Sequence, residues 1–325
     1  MEIAPMNVVV WGKIHQSGLA MLQSAPGVSV AVVDPRRDNA IDPHIAEAAA
    51  ILVRTSLLPA SLIARATKLK VVSRYGVGYD NIDVAALTQR KIPLAVVGKD
   101  NAASVAEQTL YLMLAAAKAG LLYDRATRSG DWFFRDSLVA RDLSGKRLLI
   151  VGLGRIGQVV GNLCQAFGMT ITFYDPHVSA VALGLNWAQS PDLMTGLREA
   201  DVVTIHAPLL PTTRALIGEK EMAAMKPSSI IVSTSRGGLV DEGALARALA
   251  NGTIHAAGLD VFEKEPVTAD NPLLKLDNVV LSPHMAALSY ECAERMSLTA
   301  AKNCLDGLLG HLDPARVVNA EVLRG

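Results

Sequence analysis

Arg236, Glu265 and His284 are side chains of types that bind carboxylates and transfer protons, and each follows a short apolar run. Parallel strands of one sheet end at the same edge, where open α/β sheets bind ligands, so we expect the three side chains to meet there. The arginine fork suits a carboxylate, and a histidine held by a carboxylate can protonate a keto oxygen. Together they suit hydride transfer between a nicotinamide and a 2-oxo acid.

Each of the three residues also has a plainer reading when it is taken alone. Arg236 could be a surface arginine on a turn, Glu265 one of several acids in a solvated loop, and His284 a structural histidine. Their shared position after a strand favours the catalytic interpretation.

A glycine-rich run near the middle of the chain predicts where a dinucleotide binds. Gly152, Gly154 and Gly157 follow an apolar run and precede residues with helical spacing. Such glycines permit the turn, let the backbone approach a pyrophosphate and let the helix pack on the strand, while the phosphates meet free helix amides.

Asp175, 23 residues after Gly152, ends the next strand candidate. A carboxylate there binds ribose hydroxyls and repels a 2′-phosphate, which favours NAD over NADP. The alternative for the glycine run is a close-packed turn that binds no ligand.

The composition excludes several classes of protein. The 325 residues suit two domains, and 31 basic against 31 acidic residues give no reason to expect nucleic acid or an anionic membrane. Cys164, Cys292 and Cys304 form no CxxC, so neither a disulfide framework nor a zinc site is expected. The N-terminus lacks a secretory signal, and the apolar stretch 110–117 is short of the roughly 20 residues of a membrane span. We expect a soluble, cytoplasmic protein without a metal.

Strand candidates alternate with helical stretches on both sides of the glycine run, which predicts parallel sheets covered by helices. The strand candidates are residues 7–11, 28–33, 50–54, 70–73, 92–97, 148–151, 171–174, 201–207, 230–234, 256–261 and 278–281, and helical spacing occurs at 61–67 and 83–90. A final helix, capped by Ser289, would lie outside the second sheet. We therefore expect an α/β protein with two Rossmann-like domains. An NAD-binding domain, residues 101–288, is inserted into a discontinuous flavodoxin-like substrate domain, residues 1–100 and 289–325, with a cleft between them.

Residues 101–122 read as one long helix that is apolar on all sides from residue 110 onwards, so it must be buried on several faces. We interpret it as the connector between the domains and as part of a subunit interface; a plain core helix is the alternative. In the segment 123–143, the adjacent Trp132, Phe133 and Phe134 need a surface to pack on. Both features suggest a homodimer.

Long motifs in the same order resemble the D-isomer-specific 2-hydroxyacid dehydrogenase family, and within it the D-3-phosphoglycerate dehydrogenase branch. They cover nearly the whole chain, at residues 74–83, 152–157, 206–209, 235–242, 260–266 and 282–287. The resemblance implies catalysis by Arg236, Glu265 and His284, in agreement with the interpretation of their residue types.

The resemblance also implies a set of cofactor contacts. The amides of Arg155 and Ile156 would meet the pyrophosphate, and Asp175 would meet the ribose. Thr234 and Asp260 would lie on the nicotinamide side. The remaining residues of the expected cofactor site are His206, Ala207, Pro208 and Ser235.

The expected substrate contacts lie in the first domain. By resemblance, Gly76, Val77 and Gly78 supply backbone amides to the substrate carboxylate, which suits glycines that expose N–H groups to an anion. Arg54 and Arg74 each end a strand candidate. They could hold a phosphate, as in the phosphoglycerate branch, or be surface residues.

The identity of the acid stays open at this point. Because the chain stops at Gly325, we expect no C-terminal regulatory domain. D-3-phosphoglycerate is the first candidate, and glyoxylate, hydroxypyruvate or another 2-oxo acid is the alternative. From another class, NAD(H)-sensing transcriptional corepressors share the fold and the catalytic residues. Formate- or phosphonate-type dehydrogenases are a third reading.

Overall fold

The computed structural model describes residues 6–37, 39–178 and 184–324. Its contacts divide the chain into two units: unit 1 is Met1–Asn101 with Leu288–Gly325, and unit 2 is Ala102–Ala287. Each unit holds one parallel sheet with helices, so the predicted α/β class with two Rossmann-like sheets is confirmed.

Twelve strands and eleven α-helices among the described residues build the two units. The strands are β1 (Met6–Trp11), β2 (Val28–Val33), β3 (Ala48–Val53), β4 (Val71–Arg74), β5 (Leu94–Ala95), β6 (Arg147–Val151), β7 (Thr170–Tyr174), β8 (Ala188–Gln189), β9 (Val202–Ile205), β10 (Ile230–Ser233), β11 (Ala256–Leu259) and β12 (Val279–Leu281). The helices are α1 (Gln16–Ser24), α2 (Asp42–Ile45), α3 (Ala60–Arg65), α4 (Val84–Gln89), α5 (Ala102–Ala117), α6 (Gly120–Arg128), α7 (Arg155–Ala166), α8 (Leu193–Glu199), α9 (Glu219–Ala224), α10 (Glu242–Ala250) and α11 (Tyr290–Leu309).

The sheet of unit 1 has the strand order β2-β1-β3-β4-β5. All six residues of β3 are buried, as expected for a central parallel strand with both faces covered. This is the flavodoxin-like order, in which successive strands are added to one side of β1 and then, from β3 onwards, to the other side. Ligands bind beyond the carboxyl ends of β1 and β3, where the strand order reverses. Ser289 accepts a hydrogen bond from the Cys292 amide at the start of α11, so the predicted cap is confirmed.

The sheet of unit 2 has the order β12-β11-β10-β9-β6-β7-β8. The central strands β9, β10 and β11 are buried along their whole length. The reversal of order falls between β6 and β9, so their carboxyl ends mark the expected ligand edge. The short strand β8 extends this sheet beyond the six strands that the sequence predicted.

The predicted single helix over residues 101–122 is wrong. The structure has two helices there, α5 and α6, with Ala119 between them in the left-handed conformation at φ 49°. Gly120 follows directly and opens α6. The sequence did not indicate this break, because small apolar residues such as the alanines before Gly120 occur both in helices and in sharp turns.

Two aromatic side chains of the segment after α6 stay largely exposed. Trp132 is 64% exposed and Phe133 is 79% exposed, whereas Phe134 makes an edge contact with Tyr123 at 5.3 Å between ring centroids. The expectation that all three aromatics find a packing surface is therefore not met by this chain alone. Among the helices of the described residues, none is both long and apolar enough to cross a membrane.

Candidate active site

Three neighbouring strands of unit 2 bring the predicted catalytic residues together. Arg236 follows β10, Glu265 follows β11 and His284 follows β12, and these strands pair side by side in parallel. The Nδ1 atom of His284 lies 2.7 Å from the Oε2 atom of Glu265. With Nδ1 donating to the carboxylate, Nε2 is the nitrogen that can exchange a proton with a ligand.

The Glu265 carboxylate is held at both oxygens. Its Oε1 accepts the Phe262 amide at 3.0 Å, while its Oε2 faces His284. Burial raises the pKa of Glu265, but the hydrogen bonds from His284 and from the Phe262 amide, together with the charges of His284 and Arg236, outweigh it, so that the pKa lies below its usual value. Glu265 is therefore an ionised hydrogen-bond acceptor at neutral pH.

A backbone contact sets the distance between the Arg236 loop and the Glu265 loop. A Cβ atom on Gly237 would lie 1.8 Å from the carbonyl oxygen of Phe262, so only glycine permits this approach. The Arg236 Nη1 atom donates to the carbonyl of Ser235 at 2.8 Å. The arrangement places a cation beside a histidine–carboxylate pair, which can bind an anionic acid and move a proton.

Asp260 is the residue directly after β11, and it is fully buried. Its Oδ1 accepts the Ser282 hydroxyl at 2.5 Å and the Met285 amide at 2.9 Å, and its Oδ2 accepts the Ala286 amide at 2.8 Å. In this structure the Asp260 side chain thus binds the loop that carries His284. Its predicted contact on the nicotinamide side stays a prediction.

The glycine turn after β6 has the shape that a dinucleotide requires. Gly152 has φ 92°, and a Cβ atom on it would lie 2.8 Å from the Ala207 amide nitrogen. A Cβ atom on Gly154 would enter open space, and one on Gly157 would lie 2.5 Å from the Gly152 carbonyl oxygen. Helix α7 begins at Arg155, and the first amides of a helix have no intrahelical partner. The turn therefore offers donors and room for a pyrophosphate.

Asp175 closes β7 next to this turn. Its Oδ2 accepts the Leu153 amide at 2.9 Å, and its Oδ1 accepts the His177 amide at 2.9 Å. Each oxygen keeps a further lone pair for a ribose hydroxyl. The fingerprint glycines and this acid together fit a dinucleotide cofactor.

His206 lies at the reversal of the strand order, just after β9. Its Nε2 is hydrogen-bonded to the Thr204 hydroxyl at 2.9 Å, and its Nδ1 is buried without a hydrogen-bond partner among the described residues. Burial lowers the pKa of His206 to about 3, so the ring is neutral near pH 7. Ala207 packs against the Gly152 turn, since a Cβ atom on Gly152 would lie 2.8 Å from the Ala207 amide nitrogen. Pro208, the next residue, is exposed.

The loop after β10 is fastened by its own hydroxyl groups. The Thr109 hydroxyl of α5 donates to the Val105 carbonyl, so the Thr234 hydroxyl donates to Thr109 at 2.9 Å. The Ser235 hydroxyl donates to the Ile205 carbonyl at 3.0 Å. Sequence reasoning missed Thr109, although a polar residue directly before the apolar run that begins at residue 110 was a signal for it.

In unit 1, Arg54 follows β3 at the reversal of the strand order, and its Nη1 donates to the Lys13 carbonyl at 3.1 Å. Lys13 is exposed, lies just beyond β1 and was not singled out from the sequence. Arg74 differs, because its Nε donates to the Gly78 carbonyl at 2.8 Å and its Nη1 to the Tyr75 carbonyl. Arg74 thus shapes its own loop.

The loop after β4 presents backbone donors. Gly76 has φ 142°, and its amide is bonded to the Arg74 carbonyl at 2.9 Å. The amides of Val77 and Gly78 make no hydrogen bond within the described part of the chain. Two adjacent amides of this kind suit a carboxylate. The described residues contain no group of three or more His, Cys, Asp and Glu side chains that could hold a metal ion.

Comparisons with known proteins agree with this geometry. Residues 110–286 match the family model described as D-isomer specific 2-hydroxyacid dehydrogenase, NAD binding domain. The chain is 39% identical over 309 residues to the D-3-phosphoglycerate dehydrogenase of Methanocaldococcus jannaschii, covering 94% of this chain and 58% of that protein. It is 39% identical over 282 residues to the glyoxylate reductase of Korarchaeum cryptofilum, covering 85% of this chain and 84% of that protein.

A solved structure has a similar fold. The TT0316 protein from Thermus thermophilus matches with a TM-score of 0.89 and 32% identity, covering 96% of this chain and all of that one. The chain therefore belongs to the D-isomer-specific 2-hydroxyacid dehydrogenase family, as its motifs predicted.

Within the family, the chain is similar to the D-3-phosphoglycerate dehydrogenase branch, at 39% to 41% identity over several relatives. It spans less than two thirds of the length of those enzymes, 58% and 60% for the first two.

Proposed function

We propose that this chain is an NAD-dependent dehydrogenase that interconverts a small D-2-hydroxy acid and its 2-oxo acid. The observation that carries the proposal is the contact of 2.7 Å between His284 and Glu265, with Arg236 on the adjacent strand end. The same sheet carries the glycine turn that fits a dinucleotide. The bound nicotinamide would supply or accept the hydride.

The protein's own groups then have separate tasks. Arg236 binds the carboxylate of the acid and polarises its keto oxygen. His284 donates a proton from Nε2 to that oxygen during reduction and accepts it during oxidation. Glu265 receives Nδ1–H, which fixes the orientation of the imidazole and stabilises its cationic form. In unit 1, the amides of Val77 and Gly78 are proposed donors to a substrate carboxylate.

We assign NAD as the cofactor because of the charge of Asp175. A carboxylate at the end of β7 accepts bonds from ribose hydroxyls and repels the additional phosphate of NADP. Similar proteins differ in their cofactor, because one solved structure, at 28% identity, is an NADPH-dependent glyoxylate/hydroxypyruvate reductase. The assignment of NAD therefore depends on Asp175 of this chain and not on its relatives.

For the substrate we put D-3-phosphoglycerate first. The chain resembles D-3-phosphoglycerate dehydrogenases over 94% of its length. In unit 1, Arg54 lies where a flavodoxin-like sheet binds ligands and points its Nη1 at the Lys13 backbone. Since Arg74 is engaged by its own loop, Arg54 is the arginine that we assign to the phosphate.

Glyoxylate or hydroxypyruvate is the second candidate, for a specific reason. The Korarchaeum cryptofilum glyoxylate reductase matches this chain over 84% of its own length, a larger share than the phosphoglycerate enzymes give. An acid without a phosphate would need Arg236 and the loop after β4 but not Arg54.

Initial rates separate the two candidates. NAD⁺ reduction is measured with 3-phospho-D-glycerate and with D-glycerate, and NADH oxidation with glyoxylate and hydroxypyruvate. For Arg54→Ala we expect KM to rise about 10-fold for the phosphorylated acid only, because one charge-assisted hydrogen bond is lost. Arg37→Ala is the matched control, since Arg37 is an exposed arginine of the same unit.

A preference for the unphosphorylated acid in both the wild type and Arg54→Ala would remove the phosphate assignment and leave the family reaction intact. Lack of turnover with every acid, together with NAD-dependent oligomerisation, would instead support a corepressor-like binding protein.

We also propose that the chain forms a homodimer through α6 and the turn that follows it. Leu121, Trp132, Phe133 and Leu138 are all large, apolar and at least 47% exposed. A surface of this kind marks an interaction site, and a second copy would cover it symmetrically. Light scattering should give twice the chain mass for the wild type and a lower mass for Phe133→Asp. A monomeric wild type at micromolar concentration would contradict the dimer.

The three cysteines support a reducing compartment, for which we propose the cytoplasm. Cys164, Cys292 and Cys304 are buried, and none of them forms a disulfide bond among the described residues. Burial raises the pKa of Cys164 and that of Cys304 to about 12, which keeps both thiols unreactive.

A further inference from the structure

We infer that Glu242 is a positioning residue for Glu265, and the inference rests on the function proposed above. Glu242 is the first residue of α10, directly beyond the loop that carries Arg236. Its Oε1 accepts the Glu263 amide, and its own amide donates to Oε1 of Glu263 at 3.0 Å. The two glutamates, 21 positions apart, thus bond each other's backbone and join the loop after β10 to the loop after β11.

The peptide that these bonds fix lies next to the anchor of the Glu265 carboxylate. The Phe262 amide donates to Oε1 of Glu265 at 3.0 Å. The following peptide joins Phe262 to Glu263, and its carbonyl lies against Gly237 while its amide donates to Glu242. One peptide is therefore held on both sides by the chain that runs from Arg236 into α10.

The second carboxylate oxygen of Glu242 binds the chain beyond Glu265. Its Oε2 accepts the Asn271 side-chain amide at 2.7 Å. Asn271 is itself fixed, because its Oδ1 accepts the Leu273 amide at 3.0 Å and caps a short helical turn. The segment 263–271 contains Glu265, and Glu242 is bonded to both of its ends.

Helix α10 does not depend on Glu242 for its cap. Asp241 is the N-cap residue, and its carboxylate accepts the Ala244 amide at 2.8 Å. An acidic side chain in a first helical turn is stabilised by the helix dipole without any further partner. The Glu242 side chain instead leaves its own helix and bonds the segment of Glu265. Its effect on the reaction therefore passes through Glu265 and the contact of Glu265 with His284.

The main test is the pair of variants Glu242→Ala and Glu242→Gln. Alanine removes both bonds to the segment 263–271, so kcat should fall about 10-fold, since small displacements of a catalytic group have effects of at least this size. Glutamine keeps an acceptor oxygen for the Glu263 amide, so kcat should return to within about threefold of the wild type. The Kd for NADH should change less than about twofold in both variants, because the glycine turn lies on other strands of the sheet.

The second readout needs neither cofactor nor acid. In long-range ¹H–¹⁵N NMR spectra of the ligand-free protein, the ring-nitrogen signals of His284, assigned by their loss in His284→Ala, report the hydrogen bond from Nδ1 to Glu265. Glu242→Ala should move these signals in the same direction as Glu265→Gln, and Glu242→Gln should leave them near their wild-type positions. This result does not depend on the reaction, so failure of the inference and failure of the proposed function can be told apart.

Glu219→Ala is the matched control. Glu219 is also the first residue of a helix in unit 2, and its carboxylate pairs with the exposed Arg247 side chain at 3.1 Å. The substitution removes the same side chain from a helix start that has no bond to the segment 263–271 within the described ranges. We expect kcat and the His284 signals to stay at their wild-type values.

Should Glu242→Ala fail to fold, Glu263→Ala tests the other half of the reciprocal pair. Glu263 is exposed, and its replacement removes the acceptor of the Glu242 amide. We expect kcat to fall a few-fold and the His284 signals to shift, because one of the two bonds between the loops is lost. Glu263→Gln keeps an acceptor oxygen and should restore both.

Two outcomes would overturn the inference. An unchanged kcat and unchanged His284 signals in Glu242→Ala, even with a lower melting temperature, would make Glu242 a structural residue of the helix start. A lower kcat with unchanged His284 signals would show that Glu242 acts on the reaction by a route other than the position of Glu265.

Discussion

The two sheets of this protein have the same parallel architecture, yet their ligand edges are built differently. In unit 2, the polar side chains at the strand ends have hydrogen-bond partners within the same edge. His284 pairs with Glu265, and Asp260 accepts hydrogen bonds from the loop of residues 282–286. In unit 1, Arg54 rests on a single backbone carbonyl, and the loop after β4 offers amides without a partner in the described part of the chain.

This difference matches the tasks that we propose for the two edges. Hydride and proton transfer need fixed atoms, whereas the choice of acid can change with a few side chains on a loop. Relatives named for different acids resemble the chain to the same degree, 39% in each case.

Among the variants of binding residues, Arg236→Ala should have the largest effect on activity. Loss of the guanidinium leaves the substrate carboxylate without its cation, so kcat/KM for the 2-oxo acid should fall about 10²- to 10³-fold. Arg198→Ala, an exposed arginine at the end of α8, is the control. Steady-state rates at saturating NADH measure both variants. An Arg236→Ala enzyme with unchanged kcat/KM would mean that the substrate carboxylate is held from unit 1 alone.

An intermediate effect is expected for Asp175→Asn. The amide oxygen can still accept the Leu153 amide, so the glycine turn is kept while the charge is lost. The ratio of kcat/KM for NAD to that for NADP should fall about 10-fold, because the repulsion of the 2′-phosphate disappears. If NADP remains as poor a substrate as before, a group other than the Asp175 charge excludes it.

The smallest effect concerns stability in acid. The folded state holds the pKa of His206 at about 3, below its value of 6.5 in an unfolded chain. Below pH 6.5 the unfolded state therefore binds the additional proton. The free energy of unfolding should fall by on the order of 1 kcal/mol per pH unit between 6.5 and 3 through this group.

Denaturant titrations from about pH 7 to about pH 4 measure this slope. His206→Asn should give a flatter profile, and His44→Asn, at an exposed position of unit 1, should follow the wild type. Parallel profiles for all three proteins would show that the His206 ring is protonated in the folded state.

Much of the fold was predictable from local patterns. The strand at residues 28–33 has the predicted bounds, since β-branched residues and flanking glycine signal it directly. The predicted strand over 92–97 shrinks to Leu94–Ala95, because pairing with β4 and not residue type limits it. The helix break at Ala119 was not predicted, because alanine favours helices and its residue type does not indicate a left-handed backbone conformation.

The site was predictable in its residue types but not in its supports. Strand ends identified Arg236, Glu265 and His284, since parallel topology brings successive strand ends to one edge. The bonds from Asp260 to the loop of residues 282–286, more than 20 positions away, depend on side-chain directions that no spacing shows. For the same reason the sequence could not show that Arg74 turns back on its own loop.

We propose that His284 of unit 2 is the acid–base group of the reaction, and single-turnover kinetics of His284→Ala test this role most directly. NADH is bound first and its affinity measured by fluorescence, and 2-oxo acid is then added while NADH oxidation is followed. We predict an unchanged Kd for NADH and a hydride-transfer rate lower by about 10²- to 10⁴-fold, the usual contribution of general acid catalysis. A rate equal to that of the wild type would contradict the account.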